Sequence, residues 1–265
     1  RPTGESGDFE KANFPIGVEG GKTSTCPTQN LMEAYDMKDG TPFVWNNQSN
    51  PYDNRDPRMK YKIVCNEMKW PVDPVEIWEG GTNGLPLQNA TTTGYYLKKY
   101  VNNTISFEAG STVTKKQHNW VLFRYGEILL NYAEAMINAF HDPNYKDAVY
   151  NMSAREAVNQ IRGRTNISLP GFPSDITEKD FVKRLKNERR VELAFEGHRF
   201  WDVRRWKELG QTANIYGVKI TKNNEVISYE KFLLETRAVT DNMYFYPIPN
   251  TERFKNPNLG QNPGW

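Results

Sequence analysis

Glu188, Glu192 and Glu196 stand four residues apart in FVKRLKNERRVELAFEGHRFWDVRRW, residues 181–206. On a helix this spacing stacks three carboxylates along one side, a pattern that could hold a metal or supply an acid/base pair. Such chemistry needs an open cleft and carboxylates free to titrate. Here the acids overlap an apolar stripe of Phe181, Leu185, Val191 and Phe195 and are interleaved with arginines. The stripe predicts burial, and buried carboxylates need cations facing them. Past a break at Gly197, a second helix folded back over the first would bring Arg199, Arg204 and Arg205. Their planar forks can bond a carboxylate through two donors at once. The cluster is therefore expected to be an ion-paired helix junction rather than a catalytic site.

The second chemistry is recognition of ring-shaped ligands. Aromatics reach 13% of the chain, with 7 Trp and 14 Tyr. A sugar presents an apolar C–H face to a flat ring and a rim of hydroxyls to polar side chains. Trp70 and Trp78 lie in KWPVDPVEIWEGGTN with Asp73, Glu79 and Asn83 close by, and Trp45 is followed by Asn46, Asn47 and Gln48. A tryptophan on a helical stripe is normally core, whereas one among Pro, Gly and Asn is better placed to face a ligand. Trp45, Trp70, Trp78 and Asn83 are the expected ligand contacts, with Phe14 as a further ring. The competing role for each ring is to plug its own loop onto the scaffold.

Other chemistries find no signature. G-x-S-x-G, H-E-x-x-H and a phosphate loop are absent. Gly17–Gly21 and Glu79–Gly81 read as turns, and His198, beside Gly197, reads as a structural histidine at a helix junction. Asp53-Asn54-Arg55-Asp56-Pro57 has two acids but Arg55 and Arg58 flank the second, which favours a salt-bridged turn over a calcium loop. Cys26 and Cys65, the only cysteines, can form one disulfide or stay free, and no histidine stands at ligand spacing from them. No catalytic residue, metal or cofactor is expected. A net charge of +2, from 34 basic and 32 acidic residues, is too balanced for a nucleic-acid surface. Mean hydropathy is −0.77, and no apolar run approaches the ~18 residues of a membrane span.

The elements that must position these residues divide the chain of 265 residues in two. Residues 1–118 are crowded with turn makers and form a loop-rich segment, the candidate ligand-binding region. A short helix capped by Thr28 is expected up to Tyr35, and strands over Met59–Cys65 and Tyr95–Val101. Residues 119–265 read as a helical-repeat scaffold with a hairpin and a docked tail. The periodicity predicts a helix over Trp120–Phe140 with two adjacent stripes, a face wide enough to be sandwiched between neighbours. A second helix is expected over Tyr145–Arg162, stopped by Gly163. The pairs 120–163 and 177–208 resemble repeat units, of which roughly three or more are usually needed. Residues 211–240 alternate as a hairpin would, with a turn at Asn223-Asn224. Tyr244–Pro249 should be extended, and Trp265 docked. The chain begins without Met, a signal peptide or a lipid-attachment cysteine, and is expected to be the later part of a longer protein.

Several stretches together resemble the SusD/RagB nutrient-binding lipoproteins of Bacteroidetes-type outer membranes. They are PTQNL at 27–31, NRDPR at 54–58, YYLKKY at 95–100, RYGEILLNYAEA at 124–135, ERRVELAFEG at 188–197, and PIP, NPNL and QNPG in the tail. The resemblance implies a mainly α fold: tetratricopeptide-like helix pairs overlaid by long irregular segments with a few short β-strands. It also implies capture of a glycan or oligosaccharide at the extracellular face of the outer membrane. Delivery would be to a SusC-like TonB-dependent transporter, with a lipid anchor that this chain lacks. Family members are longer at the front. Ligand residues vary between members, so the motifs transfer none. The alternatives are a helical-repeat adaptor for a protein partner, and a glycoside hydrolase, which needs two carboxylates roughly 5–10 Å apart in a cleft.

Overall fold

The computed structural model describes residues 2–18, 20–47, 50–71, 73–107 and 115–265. Strand β1, Pro2–Ser6, leads into helix α1, Asp8–Asn13. Thr28 opens α2, Gln29–Met32, its hydroxyl accepting the Leu31 N–H. Helix α3, Arg58–Lys62, runs directly into β2, Ile63–Val64, which pairs antiparallel with β3, Tyr96–Leu97. β1 pairs antiparallel with β4, Lys116–Asn119. The strand expected over Met59–Cys65 is thus helical in its first half. Arg58 and Lys62 stand one turn apart and must reach the same partner helix, and the Asp56 carboxylate opens the turn by accepting the Arg58 N–H at 2.9 Å.

The scaffold holds four helices: α4 Tyr125–Phe140, α5 Ala154–Arg162, α6 Glu178–Glu192 and α7 His198–Arg205. Leu129, Leu130, Ala133, Met136 and Ile137 of α4 pack against Ala157, Val158 and Ile161 of α5 and Phe181 and Leu185 of α6. α4 starts at Tyr125 rather than Trp120 because Arg124 enters extended, its guanidinium held by Glu192 at 2.7 Å and Glu196 at 2.6 Å. α5 starts at Ala154 rather than Tyr145. Ser153 and Glu156 form a reciprocal capping box there, while Tyr145 instead stacks on Phe140 at 3.9 Å. Only one of the two α4 stripes is covered. Leu122 is 72% and Phe123 78% exposed, with Tyr125 and Ile128 exposed beside them, so the expected sandwich is one-sided among the described residues.

After a 3-10 turn, strands β5 Asn214–Asn223 and β6 Val226–Thr236 form a long antiparallel hairpin. Asn224 turns it in the left-handed region at φ 52°. The hairpin turns Val218, Ile220 and Tyr229 into a second core with Phe14, Met32, Tyr35, Met59, Ile63, Tyr95 and Tyr96. α6 is the wall between the cores, giving Val191 to one and Phe181 and Leu185 to the other. The tail adds a helix the sequence did not announce, α8 Asn250–Lys255. Trp265 docks by donating its indole N–H to the carbonyls of Asn242 (2.9 Å) and Phe245 (3.2 Å). Cys26 and Cys65 are free thiols, and burial pushes Cys65 up to about 12.

Between the cores the three α6-register carboxylates meet their cations. Glu188 pairs with Arg58, and with Arg162 at 2.8 Å; Glu192 pairs with Arg58 at 3.0 Å and Arg164 at 2.9 Å as well as Arg124. Glu196 pairs with Lys99 in addition to Arg124. Lys62 donates to the carbonyls of Val191 (2.6 Å) and Glu192 (2.9 Å), and Asp56 holds the far side of Arg58 at 2.7 Å. The junction is ion-paired, but its cations do not come from the following helix. Arg205 pairs instead with Asp202 and Glu134, Arg199 donates to Gln211, and Arg204 lies 3.5 Å over the Phe200 ring. His198 sits at the junction with its ring 3.6 Å from Glu127.

Burial alone would raise the Glu188 and Glu192 carboxyls, but the surrounding cations outweigh it and hold both below their ordinary value of 4.5. Their contribution to stability is therefore full above pH 4.5 and is lost as pH falls through the lower folded values. Thermal midpoints taken from neutral to acid pH should drop steeply below that point, with a shallower slope in Glu192→Gln. Glu188→Ala strands two buried guanidinium groups and should cost about 3–5 kcal/mol in urea denaturation. Lys146→Ala, which removes an exposed pair with Glu156, should cost about 0–1 kcal/mol.

Candidate functional site

The five residues expected at a ligand site are not brought together. Phe14 is 0% exposed and lies edge-on to Phe107 inside the hairpin core. Trp70 is 7% exposed, with the Lys98 ammonium 5.0 Å from its ring. Asn83 is 5% exposed and ties two loops, accepting from the Glu76 N–H at 2.9 Å and donating to the Ile16 carbonyl at 2.6 Å. These three offer no face to a ligand. The correction has a common cause: a loop-rich segment without long helices must build its core from rings and amides in its own turns.

Trp78 is half-buried, with the Lys222 ammonium 4.5 Å from its ring. Its neighbours Ile77 and Glu79 line a cavity of about 250 Å³ closed by Val218, Ile220 and Phe232 of the hairpin. Trp45 is also half-buried and meets Phe43 edge to face at 6.4 Å, its indole N–H donated to Asn47. Gln48, read as part of the same polar rim, lies outside the described residues.

Phe43 connects Trp45 to a cleft of about 480 Å³ between α6, the loop after α2 and the turn after α7. One face of Phe43 is covered by the Arg55 guanidinium at 3.6 Å. The opposite wall is polar: Arg184, Lys186, Asn187 and Arg190 from α6, with Arg199, Glu208 and Gln211 beyond. Phe172 closes one end, with Arg184 stacked on it at 4.3 Å. Asp36 is pushed up by burial against the opposing pull of Arg162. Every acid lining the cleft is ion-paired, so no carboxylate pair stands free for acid/base work. Among the described residues no three metal-ligating side chains gather, and the Asp56 carboxylate that could have served a calcium loop is occupied by Arg58.

The acidic row of α6 gives no sign of the cleft, which lies against the other side of the helix. Its signal is nevertheless in the sequence: Lys179, Lys183, Lys186 and Arg190 recur at spacings of 4, 3 and 4, a basic stripe on the other side of the helix.

The sequence model of the SusD family matches residues 4–265. The chain belongs to the SusD family. Two proteins of Formosa agariphila are similar to it. SusD-like protein P2 is 29% identical over 163 residues, 59% of this chain and 28% of that protein. SusD-like protein P38 is 37% identical over 150 residues, 54% of this chain and 24% of that protein. A SusD-like protein of Bacteroides fragilis superposes with a TM-score of 0.79 at 26% identity, covering 98% of this chain and 53% of that one. A second B. fragilis structure, a SusD-like carbohydrate binding protein, gives 0.74 at 24% identity, with 95% and 51% covered. The chain thus spans about half the length of these solved structures, and its match about a quarter of the curated relatives. Its fold is the mainly α, tetratricopeptide-like arrangement of helix pairs under irregular segments that the resemblance implied.

Within this SusD-family chain, the difference between buried and half-buried tryptophans is measurable. Trp70→Ala should cost about 3–5 kcal/mol in urea denaturation, and Trp45→Ala under about 2 kcal/mol. Only the second is then a clean probe of a ligand surface.

Proposed function

We propose that this chain binds a glycan without hydrolysing it, as part of an uptake system at the extracellular face of the outer membrane. The observation that carries the reading is the cleft lined by Phe43 and Phe172, with Trp45 edge-on to Phe43, whose polar wall has all its carboxylates ion-paired. A sugar ring needs a flat apolar partner and a rim of donors and acceptors; hydrolysis would need two free carboxylates. Trp45 and Phe43 supply the platform, and Asn187, Gln211 and the arginines supply the rim. Trp78, beside its separate cavity, is a second contact. Family membership supports both the ligand class and delivery to a SusC-like TonB-dependent transporter, with anchoring to the membrane through lipid.

The adaptor reading draws on one observation, the exposed run of Leu122, Phe123, Tyr125 and Ile128, which could seat a protein surface. Affinity electrophoresis through gels cast with individual polysaccharides separates the two. At least one glycan should retard the wild-type chain, and Trp45→Ala should weaken that retention by roughly tenfold, about 1.4 kcal/mol. Reducing ends should not accumulate in the bound polysaccharide. Uniform migration in every gel would favour the adaptor, and released reducing ends would overturn the non-catalytic role.

A further inference from the structure

The cleft beside α6 has more positive charge than its fold consumes. Its lining includes Lys179, Lys183, Arg184, Lys186, Arg190 and Arg199 against four acids. Two of those acids are neutralised by cations outside the lining, and a third, Asp36, is shared between one outside cation and Arg184 of the lining at 3.8 Å. Glu33 is held by Lys231 at 2.7 Å, Asp36 by Arg162 at 3.3 Å, and Glu188 by Arg162 at 2.8 Å together with Arg58. Glu208 is held by Lys186 at 2.5 Å within the cleft.

Arg190 and Arg199 are left over. Neither makes an ion pair with any described residue. Each spends one terminal nitrogen on a neutral oxygen, Arg190 on the Asn30 carbonyl at 2.7 Å and Arg199 on Gln211 at 2.8 Å. Among the described residues the remaining donors of both forks have no protein acceptor. Burial pushes Arg190 down to about 10, and the like charge of Arg199 pushes it the same way. Burial also lowers Arg199, against the pull of Glu208 and Asp202. Both guanidinium groups line the same cleft, are partly out of water and keep donors that no described residue uses, so an anion held between them would be favoured.

We propose that Arg190 and Arg199 form an anion subsite in this cleft that takes the carboxylate or sulfate ester of an acidic sugar, with Phe43 and Trp45 beside it for the ring. The proposal rests on the glycan-binding reading and narrows it to acidic glycans. A planar carboxylate or a sulfate can accept two donors from each fork, and the lysines at the mouth, Lys179 and Lys183, draw a negatively charged chain towards it.

The test has two independent arms on the whole chain. In the first, arginine-labelled protein is titrated with inorganic sulfate and with methyl glucuronide while the side-chain Nε–H signals are followed by NMR. The signals of Arg190 and Arg199, assigned through Arg190→Lys and Arg199→Gln, should move in a saturable way; no movement of either with both probes overturns the subsite. In the second arm, affinity gels carry polygalacturonate, carrageenan or starch. An acidic gel should retard the chain more than starch does, and whether the carboxylated or the sulfated one does so identifies the group. Arg199→Gln and Arg190→Gln should each lose roughly tenfold or more in retention, with partial recovery in Arg190→Lys, at melting temperatures close to wild type. Equal retention of these variants, or retention on starch alone, overturns the subsite while the glycan reading stands. Saturable arginine shifts with no retention in any gel support the subsite and count against the glycan reading.

Discussion

A carboxylate taken out of water must find a cation or give up its charge, and α6 and its extension carry three in a row. The rest of the fold answers that constraint. Arg58 and Lys62 come from the loop-rich part, Lys99 from the turn after β3, Arg124 from the residue before α4, and Arg162 and Arg164 from the end of α5. Each cation brings its own segment with it. The ion pairs therefore dictate where segments far apart in sequence must dock, which apolar packing alone would leave loosely specified. The same demand explains two irregularities: the extended entry to α4 at Arg124 and the helical turn where alternation suggested a strand at Arg58.

One consequence is a division of labour around a single helix. The acidic side of α6 is closed, saturated with partners and walled by both cores. The basic side is open, and part of its charge, Arg190 above all, makes no ion pair with a described residue. A buried network that is fully satisfied gives a rigid frame; a cation that no acid pairs with keeps binding capacity. α6 thus links stability and recognition, because the rows that serve them are set a fraction of a turn apart on the same backbone.

The aromatic residues divide along a similar line. Phe14, Trp70, Tyr95 and Tyr96 are consumed in building a core for a segment poor in regular structure. Trp45 and Trp78 sit half-buried at the margin of that core, with Phe43 beside Trp45. Much of the aromatic content of the loop-rich part is thus a solution to the packing of loops.

The sequence by itself determined the helices of the scaffold, the break at Gly197, the hairpin and the structural nature of the glutamate row. These depend on local periodicity, turn chemistry and the need of adjacent acids for counter-charge, all of which lie within a few residues of each other. It also held the basic stripe of α6, legible as spacing but without sign of what faced it. Tertiary structure alone decided which cations answer the acids, because Arg58 and Glu188 are joined only when segments 130 residues apart meet. It likewise decided that Trp70 and Asn83 are buried while Trp45 stays half-buried beside Phe43 of the cleft. Turn residues surround all of them equally, and burial depends on what the fold lays over each ring.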